Sequence, residues 1–194
     1  FSAMFDVDEK DWISWNPAPM AAGDFRGVPN MVHPNDGGYF HPGRANVETS
    51  ITRRGPLKVT LRSTSLDGFW ATQWEIYPTY ARMSVLKIYP GKSFWLQYEG
   101  TPGGKLDKTT DLVTRSDGTT TTAGESWSGD LADEEWAYFT DPAVGRSLFA
   151  HHLPDDALVD SYTPNGTNDP MTILGFGRAA NTRYLNTFPQ TLTI

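Results

Sequence analysis

An all-β fold, built as an antiparallel two-sheet β-sandwich, is the architecture this sequence predicts. From residue 47 onward, short β-prone runs alternate with turn clusters. No apolar pattern of helical period runs beyond a turn or two. The 18 Gly and 14 Pro, about one residue in six, are too dense for a helix bundle. At 194 residues the chain matches one large domain, and 1–194 is read as a single sandwich.

Residues 1–46 read as an irregular segment packed on that sandwich. Pro17, Pro19, Pro29, Pro34 and Pro42 recur there among Gly and Asn, and proline cannot donate to a central ladder. Trp12, Trp15, Phe25, Tyr39 and Phe40 are its expected anchors. Candidate strands follow near 47–53, 57–63, 69–77, 82–88, 93–98, 111–115, 135–140, 146–151, 157–162 and 171–178. Between them lie Arg54-Gly55-Pro56, Asp67-Gly68, Pro90-Gly91, Pro102-Gly103-Gly104, Asp117-Gly118 and Asn165-Gly166, each with a turn mechanism. Alternation is clearest where Leu57, Val59 and Leu61 oppose Lys58, Thr60 and Arg62, the mark of a half-buried strand with one wet face. The Thr119–Thr122 run reads as a mobile, solvated connection.

Composition limits the function classes. Apolar residues make up 38%, an ordinary share once Gly is added, and 7 Trp, 8 Tyr and 10 Phe exclude a disordered chain. A net charge of −7 offers no domain-wide basic field, so nucleic acid is not an expected partner. The absence of Cys removes disulfides, thiolate metal sites and cysteine nucleophiles. No apolar stretch approaches ~18 residues, so no membrane-spanning helix is expected. The first residue is Phe1 rather than Met, as in a processed or trimmed chain, and a secreted, extracellular or periplasmic location is the expectation.

Two strands carry the most suggestive chemistry. Along Trp70–Tyr77, alternation puts Trp70, Thr72, Trp74 and Ile76 on one face and Gln73, Glu75 and Tyr77 on the other. Along Phe94–Glu99, it puts Trp95, Gln97 and Glu99 opposite Phe94, Leu96 and Tyr98. If the two strands are neighbours, Gln73, Glu75, Tyr77, Trp95, Gln97 and Glu99 line one polar, aromatic groove. Such a groove suits a sugar: rings meet pyranose C–H faces, while amides and carboxylates orient hydroxyls. The plainer alternative makes the Trp side chains core and leaves the Glu side chains in solvent.

The histidines are His33, His41 and the pair His151-His152, without HxH or HExxH spacing. His41, His151 and His152 are weak metal candidates, since imidazole needs no cysteine partner. In Gly37-Gly38-Tyr39-Phe40-His41-Pro42-Gly43-Arg44, Tyr39 and His41 could form an acid/base pair with Arg44 as a carboxylate clamp. Equally, the loop could simply be pinned by Tyr and Arg hydrogen bonds. His151-His152, Asp155-Asp156, Asp160 and Tyr162 crowd acids and imidazoles as a catalytic rim or calcium site would, without EF-hand spacing; a polar turn is the simpler account. No cofactor is required, and a divalent ion such as calcium is the candidate addition. There is no GxSxG elbow, Walker loop, dinucleotide fingerprint or kinase motif. Asn165-Gly166-Thr167 matches a glycosylation sequon in a turn that Asn-Gly would occupy anyway.

The stretch Ser50–Arg62, with Gly55-Pro56-Leu57, followed by Trp70–Tyr77 and Arg82–Ile88, resembles galactose-mutarotase-like supersandwich domains, including those of polysaccharide lyases and related sugar enzymes. Tyr98-Glu99-Gly100-Thr101-Pro102-Gly103-Gly104 looks like a family signature. At this length a compact jelly roll is the alternative. The resemblance implies a functional concave sheet acting on a poly- or oligosaccharide. For a lyase, Arg44, Arg82 or Arg178 would neutralise a uronate, His41 or His151 would act as base and Tyr39 or Tyr77 as acid. A hydrolase would instead pair Glu75 with Glu99 at ~5–5.5 Å for retention or ~6.5–9.5 Å for inversion. A carbohydrate-binding module needs neither kit.

Overall fold

The computed structural model describes residues 1–17 and 22–194; Pro19 lies outside them. In chain order the strands are β1 (Gly27–Asn30), β2 (Val47–Arg54), β3 (Val59–Ser65), β4 (Ala71–Ile76), β5 (Ala81–Lys87), β6 (Leu96–Gly100), β7 (Leu112–Arg115) and β8 (Thr120–Thr122). They continue with β9 (Trp127–Gly129), β10 (Trp136–Asp141), β11 (Arg146–Leu153), β12 (Asp160–Asn165), β13 (Met171–Phe176), β14 (Arg178–Ala179), β15 (Thr182–Arg183) and β16 (Thr191–Thr193). Helical structure is limited to three short 3-10 turns among the described residues. None is long and apolar enough to cross a membrane.

The strands form an antiparallel sandwich. One sheet has nine strands in the order β2-β3-β4-β5-β16-β11-β10-β7-β8; the other has five, β1-β6-β13-β12-β9. β14 and β15 make a separate hairpin. Alternation directs Trp74, Met83, Val113, Phe139 and Leu192 inward from the larger sheet, and Val28, Leu96, Tyr98, Tyr162 and Leu174 from the smaller, into one buried cluster. Three rings join the sheets across it: Phe139 lies 5.4 Å from Tyr98 and 5.5 Å from Tyr162 between centroids.

The N-terminal segment is not wholly irregular. Gly27–Asn30 is a strand, and it holds Pro29 because β1 is an edge, where a missing donor breaks no central ladder. The Thr119–Thr122 run is also a correction: it contains edge strand β8 rather than a mobile connection. Thr120 pairs its hydroxyl with that of Thr114 at 2.8 Å. β16 carries a weak signal in Leu192 between two Thr, yet fills a gap between β5 and β11. The candidate strand 171–178 breaks at Gly177, whose positive φ turns the chain into the β14–β15 hairpin.

Candidate functional site

The site grows from the outer face of the five-stranded sheet. Gln97 of β6 stands opposite Gly175 of β13, which stands opposite Ser161 of β12; Glu99 stands opposite Ile173. Gly175 is the opening in that row. A Cβ built there would fall 2.4 Å from Cδ and 2.8 Å from Cβ of Arg178, so only glycine lets the Arg178 side chain lie down on the sheet. Its Nη1 then donates to Ser161 Oγ at 3.1 Å. The hairpin brings both Arg178 and Arg183 to Trp95, with guanidinium carbons 5.5 and 5.4 Å from the ring centre.

The N-terminal segment closes the other side. Asn30 of β1 donates through its amide to the Glu99 carboxyl and to Phe25 O, and the Phe25 ring stacks on His33 at 5.8 Å. The result is a cleft of about 200 Å³ lined by Trp95, Gln97, Glu99 and Arg178 with Phe25, His33 and other side chains of the rim. Three of the twelve buried polar side-chain atoms without a partner among the described residues belong to side chains that line it: Trp95 Nε1, Gln97 Oε1 and Arg178 Nε. Unpaired buried groups each cost about 1–3 kcal/mol, so their concentration in one cleft marks a place built to meet something else.

Electrostatics sharpen the picture. Burial pushes the Glu99 carboxyl up to about 7, against the Asn30 hydrogen bond and the Arg178 charge, which both favour ionisation. Burial also lowers the Arg178 pKa, opposed by Glu99. Because the Glu99 value in the folded protein lies above its ordinary 4.5, folding disfavours the ionised form. The cost is absent below about pH 4.5 and complete above about pH 7. At ~1.4 kcal/mol per unit it reaches about 3 kcal/mol. Glu99→Gln, which keeps an oxygen for Asn30, is therefore expected to gain stability over the wild type as pH rises from about 4 to about 8. Paired urea titrations measure this; a constant difference across that range would show Glu99 ionising as it does in solvent.

The other sequence-derived candidates are dispersed. Gln73, Glu75 and Arg82 face outward from the nine-stranded sheet, on the opposite side of the sandwich from Gln97 and Glu99. The groove that depended on adjacency of the two strands does not form, and Glu75 and Glu99 cannot flank one glycosidic bond. Glu75 is instead bound by Lys58 at 2.5 Å and Arg82 at 3.0 Å, whose hydrogen bonds hold it below the usual carboxylate range. Tyr77 stacks on Tyr80 at 4.5 Å. The Tyr39 hydroxyl donates to Asp67, which raises its pKa to about 12, and Tyr39 lines a different cleft from His41. His41 and Arg44 line a different cleft, on the other side of β1.

His151 points outward beside Phe149 at 5.9 Å, in a patch with Trp136 and Tyr138. That patch was missed, although Trp136-Ala137-Tyr138 and Phe149-Ala150-His151 show the period of two that announces it. Asn30 was missed because the proline pattern hid β1.

His152 goes to the interior. Its Nδ1 bonds Glu135 and its Nε2 bonds Gln190 Oε1 at 2.7 Å, both fully buried. Ligand atoms of Glu135, His152 and Asp156, and of Asp130, Glu135 and Asp160, lie within 4.8 Å of one another in each group, the spacing a cation would need, but both His152 nitrogens are already bonded. The inner carboxylates already accept protein hydrogens: Glu135 from Asp156 N at 2.9 Å, Asp160 from Leu131 N at 3.2 Å and Gly177 N at 2.9 Å. Burial, then the Glu135 charge, lifts Asp160 to about 7.

No family model, curated protein or solved structure matches the chain.

Proposed function

We propose that the domain binds an extracellular carbohydrate without cleaving it, in the cleft on the five-stranded sheet. The observation that carries the reading is the mixed set of unpaired atoms there: Trp95 Nε1 and Arg178 Nε need acceptors, and Gln97 Oε1 needs a donor. A sugar hydroxyl is both donor and acceptor, so neighbouring hydroxyls on one ring satisfy such a set where an anion or a cation would answer only half of it. Phe25 and Ile173 add apolar lining for C–H surface.

Binding is favoured over bond cleavage because Glu75 and Glu99 lie on opposite outer faces, and neither Tyr39 nor Tyr77 lines the cleft that holds His41 and Arg44. Calorimetric titration against a panel of neutral and acidic oligosaccharides tests the proposal. Arg178→Ala is expected to weaken binding roughly tenfold or more, the scale of one charge-assisted hydrogen bond of about 1.5–3 kcal/mol. Gly175→Ala, which displaces Arg178 without removing it, should follow in the same direction. Unchanged affinity in both variants would sink the assignment.

A second reading rests on Glu99. A carboxyl raised to about 7 beside an arginine is suited to donating a proton at neutral pH. Release of unsaturated or reducing ends from a bound polysaccharide, abolished by Glu99→Gln, would replace binding with catalysis.

A further inference from the structure

We propose that the cleft on the other side of β1 is a second binding site, for an acidic sugar residue such as a uronate, read by His41, Trp15 and Arg44. The cleft measures about 340 Å³, and Phe40 and Trp74 supply much of its apolar wall. It uses none of the side chains that line the first cleft.

His41 carries the argument. It is only 6% exposed, and its Nδ1 lies 2.7 Å from Pro42 O. A carbonyl only accepts, so Nδ1 bears the proton and Nε2 of the neutral ring is a bare lone pair. Burial lowers the His41 pKa, opposed by the smaller effect of the bond to Pro42 O. Nε2 has no partner among the described residues, and neither has Trp15 Nε1 in the same lining. The Trp15 indole is laid against the turn that carries His41: a Cβ on Gly43 would come within 2.6 Å of its Cζ2.

One orphan therefore needs a donor and the other an acceptor. A hydroxyl is the smallest group that serves both. Around it, Trp15 and Phe40 offer ring surface to C–H groups. Arg44 stands at the rim with its side chain 43% exposed, paired loosely with Asp24 at 3.9 Å, and so keeps donors for a carboxylate. Hydroxyl, apolar ring face and carboxylate together describe a uronate.

The test is a titration of the whole chain with a galacturonate trimer and a neutral galactose trimer, following the His41 Nε2 nitrogen resonance and tryptophan fluorescence. The acidic trimer is expected to shift the His41 resonance. His41→Ala and Trp15→Phe should each weaken its binding at least tenfold, and Arg44→Gln should erase the preference over the neutral trimer. Arg178→Ala, which disables the first cleft, should leave this binding within twofold. An unmoved Nε2 resonance in saturating acidic trimer, or an equal shift of that resonance by the two trimers, overturns the proposal. Loss of all binding in Arg178→Ala would assign the ligand to the first cleft alone, which also overturns it.

Discussion

Glu135→Ala is expected to cost the fold about 3–5 kcal/mol, the usual penalty for stripping one member from a buried charged pair. In a chain of this length that lowers the thermal midpoint by roughly 10 °C or more. The reason lies in what remains. Both nitrogens of His152 face acceptors, Glu135 on one side and Gln190 on the other, so the ring is held as an imidazolium. Burial alone would lower the His152 pKa, but the Glu135 hydrogen bond and charge outweigh it and the net shift is upward. Removing the carboxylate leaves a buried donor, and also the Asp156 N–H, without partners.

The pH dependence has a definite sign. A histidine raised above its ordinary 6.5 contributes stability that is complete below that value and fades as pH rises through the folded-state value. The deficit of Glu135→Ala relative to the wild type should thus be larger near about pH 6 than near about pH 8.5. Glu135→Gln, which keeps an oxygen for Asp156 N, should fall between the two proteins. Chemical denaturation at both pH values measures all of this; a deficit under about 1 kcal/mol would show that the network adds little.

Gly103→Ala is expected to be of similar severity, at about 2–5 kcal/mol, from two separable causes. The first is backbone: Gly103 has φ of +67° inside the turn Pro102–Gly104. The second is steric, since an added Cβ would stand 1.8 Å from Asp141 Oδ2. Asp141 cannot swing aside freely, because its Oδ1 accepts from Ala143 N at 2.7 Å and Val144 N at 3.2 Å in the β10–β11 turn. Gly118→Ala supplies the comparison: φ is +81° there and nothing lies within 4 Å, so only the backbone cost of about 1–2 kcal/mol applies. Thermal unfolding of the two variants resolves the difference, and equal losses would remove the steric part. The segment Tyr98–Gly104, which looks like a family signature, is thus in part a packing device at Gly103. Only Glu99 within it lines the candidate cleft.

Much of the molecule was legible from local pattern. Trp70, Thr72 and Trp74 do face the core while Gln73, Glu75 and Tyr77 do not, and Leu96 and Tyr98 point inward opposite Trp95, Gln97 and Glu99. Those assignments need no neighbours, because successive side chains of a strand leave on opposite sides whatever it pairs with. The sandwich itself followed from turn chemistry spaced at strand length.

Sequence by itself therefore determined the fold class and the face of each major strand; tertiary structure decided which faces meet. Strand pairing is made by backbone groups common to every residue, so the chain carries little local record of its partners. β4 joined one sheet and β6 the other, which sent Glu75 and Glu99 to opposite outer surfaces. The same non-local choice set β1 beside β6 and brought the β14–β15 hairpin, with Arg178, to the cleft of Gln97 and Glu99. A polar strand face that alternation leaves open to solvent thereby became a covered cleft, where burial raises a carboxyl and leaves Trp95, Gln97 and Arg178 with unmet hydrogen bonds.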